Sequence, residues 1–187
     1  MSARRAAVRR ERKSRKKAEK NKSAEGALLR ASEEGLIEGR TIAACVVLDV
    51  LFRSYGWKKK RLSGFLERIM QQSAKGSEEI TVTASLPWQE RMIEAVRMKR
   101  VYLQAKSITQ EVFYVKRNEA YIASCAVMLL VLFSEYGFST NGKRSGRADR
   151  IMMECVERYW QMHENPERYA GKVLLARIRE LTGLQIS

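Results

Sequence analysis

Residues 42–57 read Ile-Ala-Ala-Cys-Val-Val-Leu-Asp-Val-Leu-Phe-Arg-Ser-Tyr-Gly-Trp, and residues 122–138 read Ile-Ala-Ser-Cys-Ala-Val-Met-Leu-Leu-Val-Leu-Phe-Ser-Glu-Tyr-Gly-Phe. Each stretch is apolar almost all round, which predicts a helix at the centre of the molecule. Each ends in Tyr-Gly-aromatic, where the glycine supplies the stop. Ile42-Ala43-Ala44-Cys45 matches Ile122-Ala123-Ser124-Cys125 at a shift of 80, and Val50–Trp57 matches Val131–Phe138 at a shift of 81. Arg68-Ile69-Met70 then matches Arg150-Ile151-Met152 at a shift of 82. Three matches in one order predict a duplicated helical hairpin, against the alternative of two core helices that are alike because both are well capped. Two copies are too few for a solenoid.

The rest of the chain reads outward from these helices as all-α, a helical bundle of two pseudo-repeated hairpins plus a basic N-terminal arm. Residues 1–22 are the arm. Residues 23–39 are a connector in which Gly26, Gly35 and Gly39 break up Leu28, Leu29, Leu36 and Ile37. The helical domain spans 40–187, with repeat-like halves at 40–75 and 118–163. Residues 73–85 are polar, with Ile80–Thr83 a short extended piece. Ser85 and Pro87 open a linking helix over 86–116, which can bend or break at 107–109. Asn165-Pro166-Glu167 opens the C-terminal helix, 166–183, which stops at Gly183.

Charge is placed as unevenly as the apolar residues. The chain carries 36 Lys/Arg against 21 Asp/Glu, a net of +15, and residues 1–22 hold eleven of those cations against Glu11 and Glu19. Val8 is the only large apolar residue there, so the arm has no face to bury. A membrane-surface helix needs Trp, Phe or Leu opposite its charges, and these are missing. The apolar run 120–133 is 14 residues, short of the roughly 17–25 of a membrane span. No secretory signal follows the basic start, and Cys45, Cys125 and Cys155 read as buried reduced thiols. A cytoplasmic protein is the expectation, with no membrane partner.

The stretch Tyr121-Ile122-Ala123-Ser124-Cys125-Ala126-Val127-Met128, continuing through Tyr136-Gly137-Phe138 to Lys143-Arg144, resembles a family of small uncharacterised helical proteins. They are encoded by phages and mobile elements of Gram-positive bacteria, and share a Tyr-x-Ala-x-Cys-x-x-Leu helix, a Gly-aromatic turn and a Lys-Arg pair. Residues 42–61 look like a second copy. The likeness covers about half the chain and is mostly core pattern; Ser139–Gly142 is inserted before the Lys-Arg pair. The resemblance implies a phage context and a bacterial host cell. It implies no mechanism.

Two groups of cations are candidates for gripping phosphates. The arm offers Arg4, Arg5, Arg9, Arg10, Arg12, Lys13, Arg15, Lys16 and Lys17, each able to neutralise a phosphate and release a counterion. The turns after the apolar helices offer Lys58, Lys59, Lys60 and Arg61, and Lys143, Arg144, Arg147 and Arg150. Cations in a helix's first turn oppose its dipole by roughly 0.3–1 kcal/mol each, which suggests a use beyond stability. Trp57 and Phe138 can stack a base there or cap the core.

Catalysis has little support. His163 is the only histidine, the cysteines lack metal or redox spacing, and no phosphate-cradling glycine loop occurs. No catalytic residue, metal or cofactor is expected. The partner expected is DNA, RNA or a nucleoprotein complex, with homo-oligomerisation open. One alternative is a protein-interaction module inhibiting a host nucleoprotein machine, of the anti-defence or anti-CRISPR type. Another is a structural subunit contacting packaged DNA.

Overall fold

The structure, a computed structural model, describes residues 2–74, 78–97, 105–138, 146–165, 167 and 171–184; for 2–20, 72–74, 78–83, 97, 162, 163 and 171 it describes the backbone alone. Six helices and no strand occur among them: α1 (Ser2–Tyr55), α2 (Lys59–Ala74), α3 (Glu78–Arg97), α4 (Ile108–Tyr136), α5 (Arg147–Glu164) and α6 (Gly171–Thr182). The fold is an all-α bundle.

The pairing of α1 with α4 is the frame. Gly35 of α1 lies against Phe113 and Arg117 of α4, Gly39 against Arg117 and Ala120, and Tyr55 against Phe138. Positions rise together along both helices, so the two run parallel, in a register close to the shift of 80 to 82 in the sequence.

This contact overturns the connector expected at 23–39. Those residues are the middle of one helix of 54 residues, roughly 80 Å long at 1.5 Å per residue. A Cβ on Gly35 would lie 2.5 Å from the Phe113 carbonyl oxygen, and one on Gly39 would lie 2.8 Å from Ala120 Cβ. Ala31 and Ala43 extend the small-residue stripe by one turn each way, and both are buried. Each glycine costs a helix about 1 kcal/mol, and here backbone-to-backbone approach offsets that cost.

Other boundaries moved as well. Ile80–Thr83 is helical, because α3 begins at Glu78, so Ser85 and Pro87 lie inside that helix instead of capping it. Burial of Trp88 and Met92 holds α3 despite the proline. The linking helix is broken where the sequence offered a break. Ser107 caps α4, its hydroxyl accepting from the Gln110 N–H at 3.1 Å, and α4 then runs unbroken to Tyr136. Asn165 closes α5, its N–H returning to the Gln161 carbonyl at 3.0 Å, and the described part of the C-terminal helix, α6, spans Gly171–Thr182.

The core forms where the two apolar stretches meet. Ile42, Leu48 and Leu51 of α1 face inward with Tyr121, Leu129 and Leu132 of α4, all fully buried. Helix α3 lies along α4, and α6 lies along α1. Helix α5 is tied to both central helices: the Tyr121 hydroxyl donates to the Cys155 carbonyl at 2.7 Å, and the Tyr55 hydroxyl to the Arg147 carbonyl at 3.1 Å. Cys45, Cys125 and Cys155 are buried free thiols, as expected. Helix α4 is long and apolar enough to cross a bilayer by composition, yet it is the central helix of this core.

Candidate nucleic-acid interface

Both central helices end in one way. Gly56 and Gly137 each adopt φ +65°, the left-handed region that glycine enters without strain. The chain then folds back, with Trp57 N–H donating to Leu51 O and Phe138 N–H to Leu132 O, each at 3.1 Å. Because α1 and α4 are parallel, both turns fall at the same end of the bundle. Residues far apart in sequence, Lys58–Arg61 and Arg147 with Arg150, are thereby brought together.

Trp57 and Phe138 do not present faces to a ligand. They are 3% and 2% exposed, and pack on each other at 5.9 Å between ring centres. Base stacking needs an open face, so the proposed stacking role is corrected to closure of the core. Phe65 adds an edge-on contact to Trp57 at 5.9 Å.

The cations around this aromatic cluster are exposed, and among the described residues none of the six has a carboxylate within ion-pair distance. Two have other engagements. Arg61 lies 4.1 Å above the Trp57 ring, a cation–π contact, and the end of Lys59 lies against Gly183 after α6. Lys58, Lys60, Arg147 and Arg150 are the open ones, with Arg147 at the longer distance of 5.9 Å from the Phe138 ring. The first turn of α2 holds no acid at all. In α5, Asp149 accepts from the Gly146 N–H at 3.1 Å and from Arg91 at 2.5 Å. Burial raises the Tyr55 phenol above its ordinary range; Arg150 and Arg147 act to lower it and Glu154 to raise it.

Lys143 and Arg144 lie outside the described residues, as do the side chains of Arg4, Arg5, Arg9, Arg10, Arg12, Lys13, Arg15, Lys16 and Lys17. The backbone of the arm belongs to α1, and this places it. Residue 22 and residue 55 are 33 positions apart on one helix, about 50 Å at 1.5 Å per residue. Arm and turns therefore occupy opposite ends of α1 and form two separate basic regions.

A third basic feature went unread in the sequence. Asp49 and Arg53 interrupt the apolar face of α1 at i, i+4 spacing and pair at 2.8 Å, and Arg177 of α6 joins Asp49 at 2.6 Å. Two charges inside an otherwise apolar 42–53 stretch were the available signal. Among the described residues no group of His, Cys, Asp and Glu can hold a metal. No protein-family model, curated protein or solved structure matches the chain.

Proposed function

We propose that this protein binds the phosphate backbone of a nucleic acid, in the cytoplasm of a bacterial host cell and in a phage or mobile-element context. The observation that carries this is the gathering of exposed cations from two turns, more than eighty residues apart, at one end of the bundle, none of them with a carboxylate within ion-pair distance among the described residues. Uncompensated charge of this kind costs stability unless a polyanion meets it. The arm supplies a second grip with eleven cations in 22 residues. Phosphate contacts of this type give affinity without reading sequence. The Tyr-Gly-aromatic pair also supports descent from a duplicated hairpin, each copy bringing one basic turn.

Filter binding of the full chain to duplex and single-stranded DNA and RNA, across a salt series, tests the reading. Affinity should fall with a log–log slope of about −0.9 per phosphate on duplex DNA, or −0.7 on single strands. Lys58→Gln with Lys60→Gln should make that slope shallower by up to two phosphates. A salt-insensitive complex, or an unchanged slope, overturns it.

One observation favours a protein partner as the second reading. Leu29, Ile37, Ile108 and Val115 are exposed apolar side chains on α1 and α4, available to contact another protein. Pull-down from nuclease-treated host lysate separates the two, since a partner that survives nuclease favours inhibition of a host nucleoprotein machine.

A further inference from the structure

A cavity of about 180 Å³ opens between α1, α5 and α6. Cys45, Val46, Val173 and Leu174 give it apolar walls, and four charged residues join them: Arg53 and Asp49 from α1, Arg158 from α5 and Arg177 from α6. The lining carries three guanidiniums against one carboxylate, a net of +2.

Asp49 is the organising group. It accepts from Arg177 through Nε at 3.1 Å and Nη2 at 2.6 Å, and it pairs with Arg53 Nε at 2.8 Å. The third guanidinium has a different setting. Arg158 Nη1 donates to the neutral side chain of Gln161 at 3.1 Å, and no carboxylate lies within ion-pair distance of it among the described residues. Arg177 also reaches Glu180 at 2.8 Å, but that carboxylate is 68% exposed and does not line the cavity. One half-buried carboxylate needs one guanidinium for neutrality. Convergence of three leaves a positive hollow with donors to spare.

The geometry points to a binding site for a phosphomonoester, with Arg53 and Arg158 supplying the open donors and Asp49 holding Arg53 and Arg177 in place. A phosphomonoester carries about −1.5 to −2 charges at pH 7, matching the lining. The planar guanidinium fork fits its oxygens in pairs. The cavity is smaller than the roughly 300–1,000 Å³ of sites for larger ligands, so the ligand is a phosphate with a short apolar stem. Chemistry at the site is binding alone. Its one thiol, Cys45, is held neutral with its pKa pushed up to about 11 by burial and by Asp49. The source of the phosphate is either a free small molecule or the end of a nucleic-acid strand.

Calorimetric titration of the full chain with inorganic phosphate and with glycerol phosphate tests this directly. Saturable binding is expected, weakened on the order of tenfold or more in Arg158→Gln and in Arg53→Gln, since each removes a charged hydrogen bond. Lys60→Gln, at the turn cluster, leaves it unchanged. Tighter binding of a 5′-phosphorylated oligonucleotide than of its 5′-hydroxyl twin, lost in Arg158→Gln, assigns the site to strand ends; equal binding of the two assigns it to free phosphomonoesters. No saturable binding of either phosphate probe, or binding unaffected in both arginine variants, overturns the proposal. Nucleic-acid affinity through the turns is measured separately by the Lys58 and Lys60 variants, so the two readings fail independently.

Discussion

The ring of Phe138 sits 5.2 Å from that of Tyr55, while Trp57 sits 5.1 Å from Tyr136, so the end of each central helix is closed by an aromatic residue following the other. The two turns cannot separate without opening the core between them. Basic groups beside these rings are thus held on a stable platform.

Trp57→Ala should cost about 3–5 kcal/mol of stability, the range for truncating a buried aromatic. Trp57→Phe should keep nucleic-acid affinity and the salt slope intact, because the ring faces the core. Urea unfolding and filter binding on the same samples check both outcomes.

Glycines in this chain separate into two kinds. Gly39→Ala should destabilise by about 1–3 kcal/mol, since the new methyl meets Arg117 and Ala120 of α4. Gly64→Ala should stabilise by roughly 0.5–1 kcal/mol, because nothing lies within 4 Å of its added carbon in the interior of α2. Thermal midpoints moving in opposite directions are the signature.

Stability should fall as pH rises from about 9 to 11. Burial raises the thiols of Cys45, to about 11, and of Cys155, where a hydrogen bond with Cys125 acts first. Burial also raises the phenols of Tyr55 and Tyr159. For each, the folded state keeps its proton to higher pH than the unfolded state does, so the stability is complete below the unfolded pKa and is lost on the way up through the folded one. Cys45 alone accounts for on the order of 2–3 kcal/mol across that window, at 1.36 kcal/mol per unit. Urea midpoints at pH 7.5, 9 and 10.5 measure it, and Cys45→Ala should flatten part of the decline.

Duplex length should matter in steps. Arm and turn cluster are about 50 Å apart on α1, near 15 base pairs at 3.4 Å each. Duplexes shorter than this can engage one region at a time, so deleting residues 1–22 should weaken binding by a larger factor on a 40-mer than on a 10-mer. Competition titrations with both lengths check it.

Much of the fold was legible because it was local. The apolar helices, the glycine stops at 56, 137 and 183, the break at Ser107 and the core thiols all rest on residues near one another in sequence. What misled had distant partners. Gly35 and Gly39 look like breakers until Phe113 and Arg117 are set against them, nearly eighty residues away. Pro87 and Ser85 look like a helix start until Trp88 and Met92 are buried on α4. At the candidate interface, exposure of the turn cations agreed with the sequence while the aromatics went inward, since their apolar area outweighs any use in solvent. The Asp49 network joins residues 128 positions apart and left only a faint local trace.

Because α1 is one uninterrupted helix from Ser2 to Tyr55, the bearing of its N-terminal cations is a matter of phase. Inserting a single residue near position 25 would rotate everything before it by about 100° relative to the bundle, and push it out by only 1.5 Å. Removing eighteen residues would restore the bearing after five turns while drawing the arm in by about 27 Å. Direction and reach of the arm are therefore separately adjustable by counting residues.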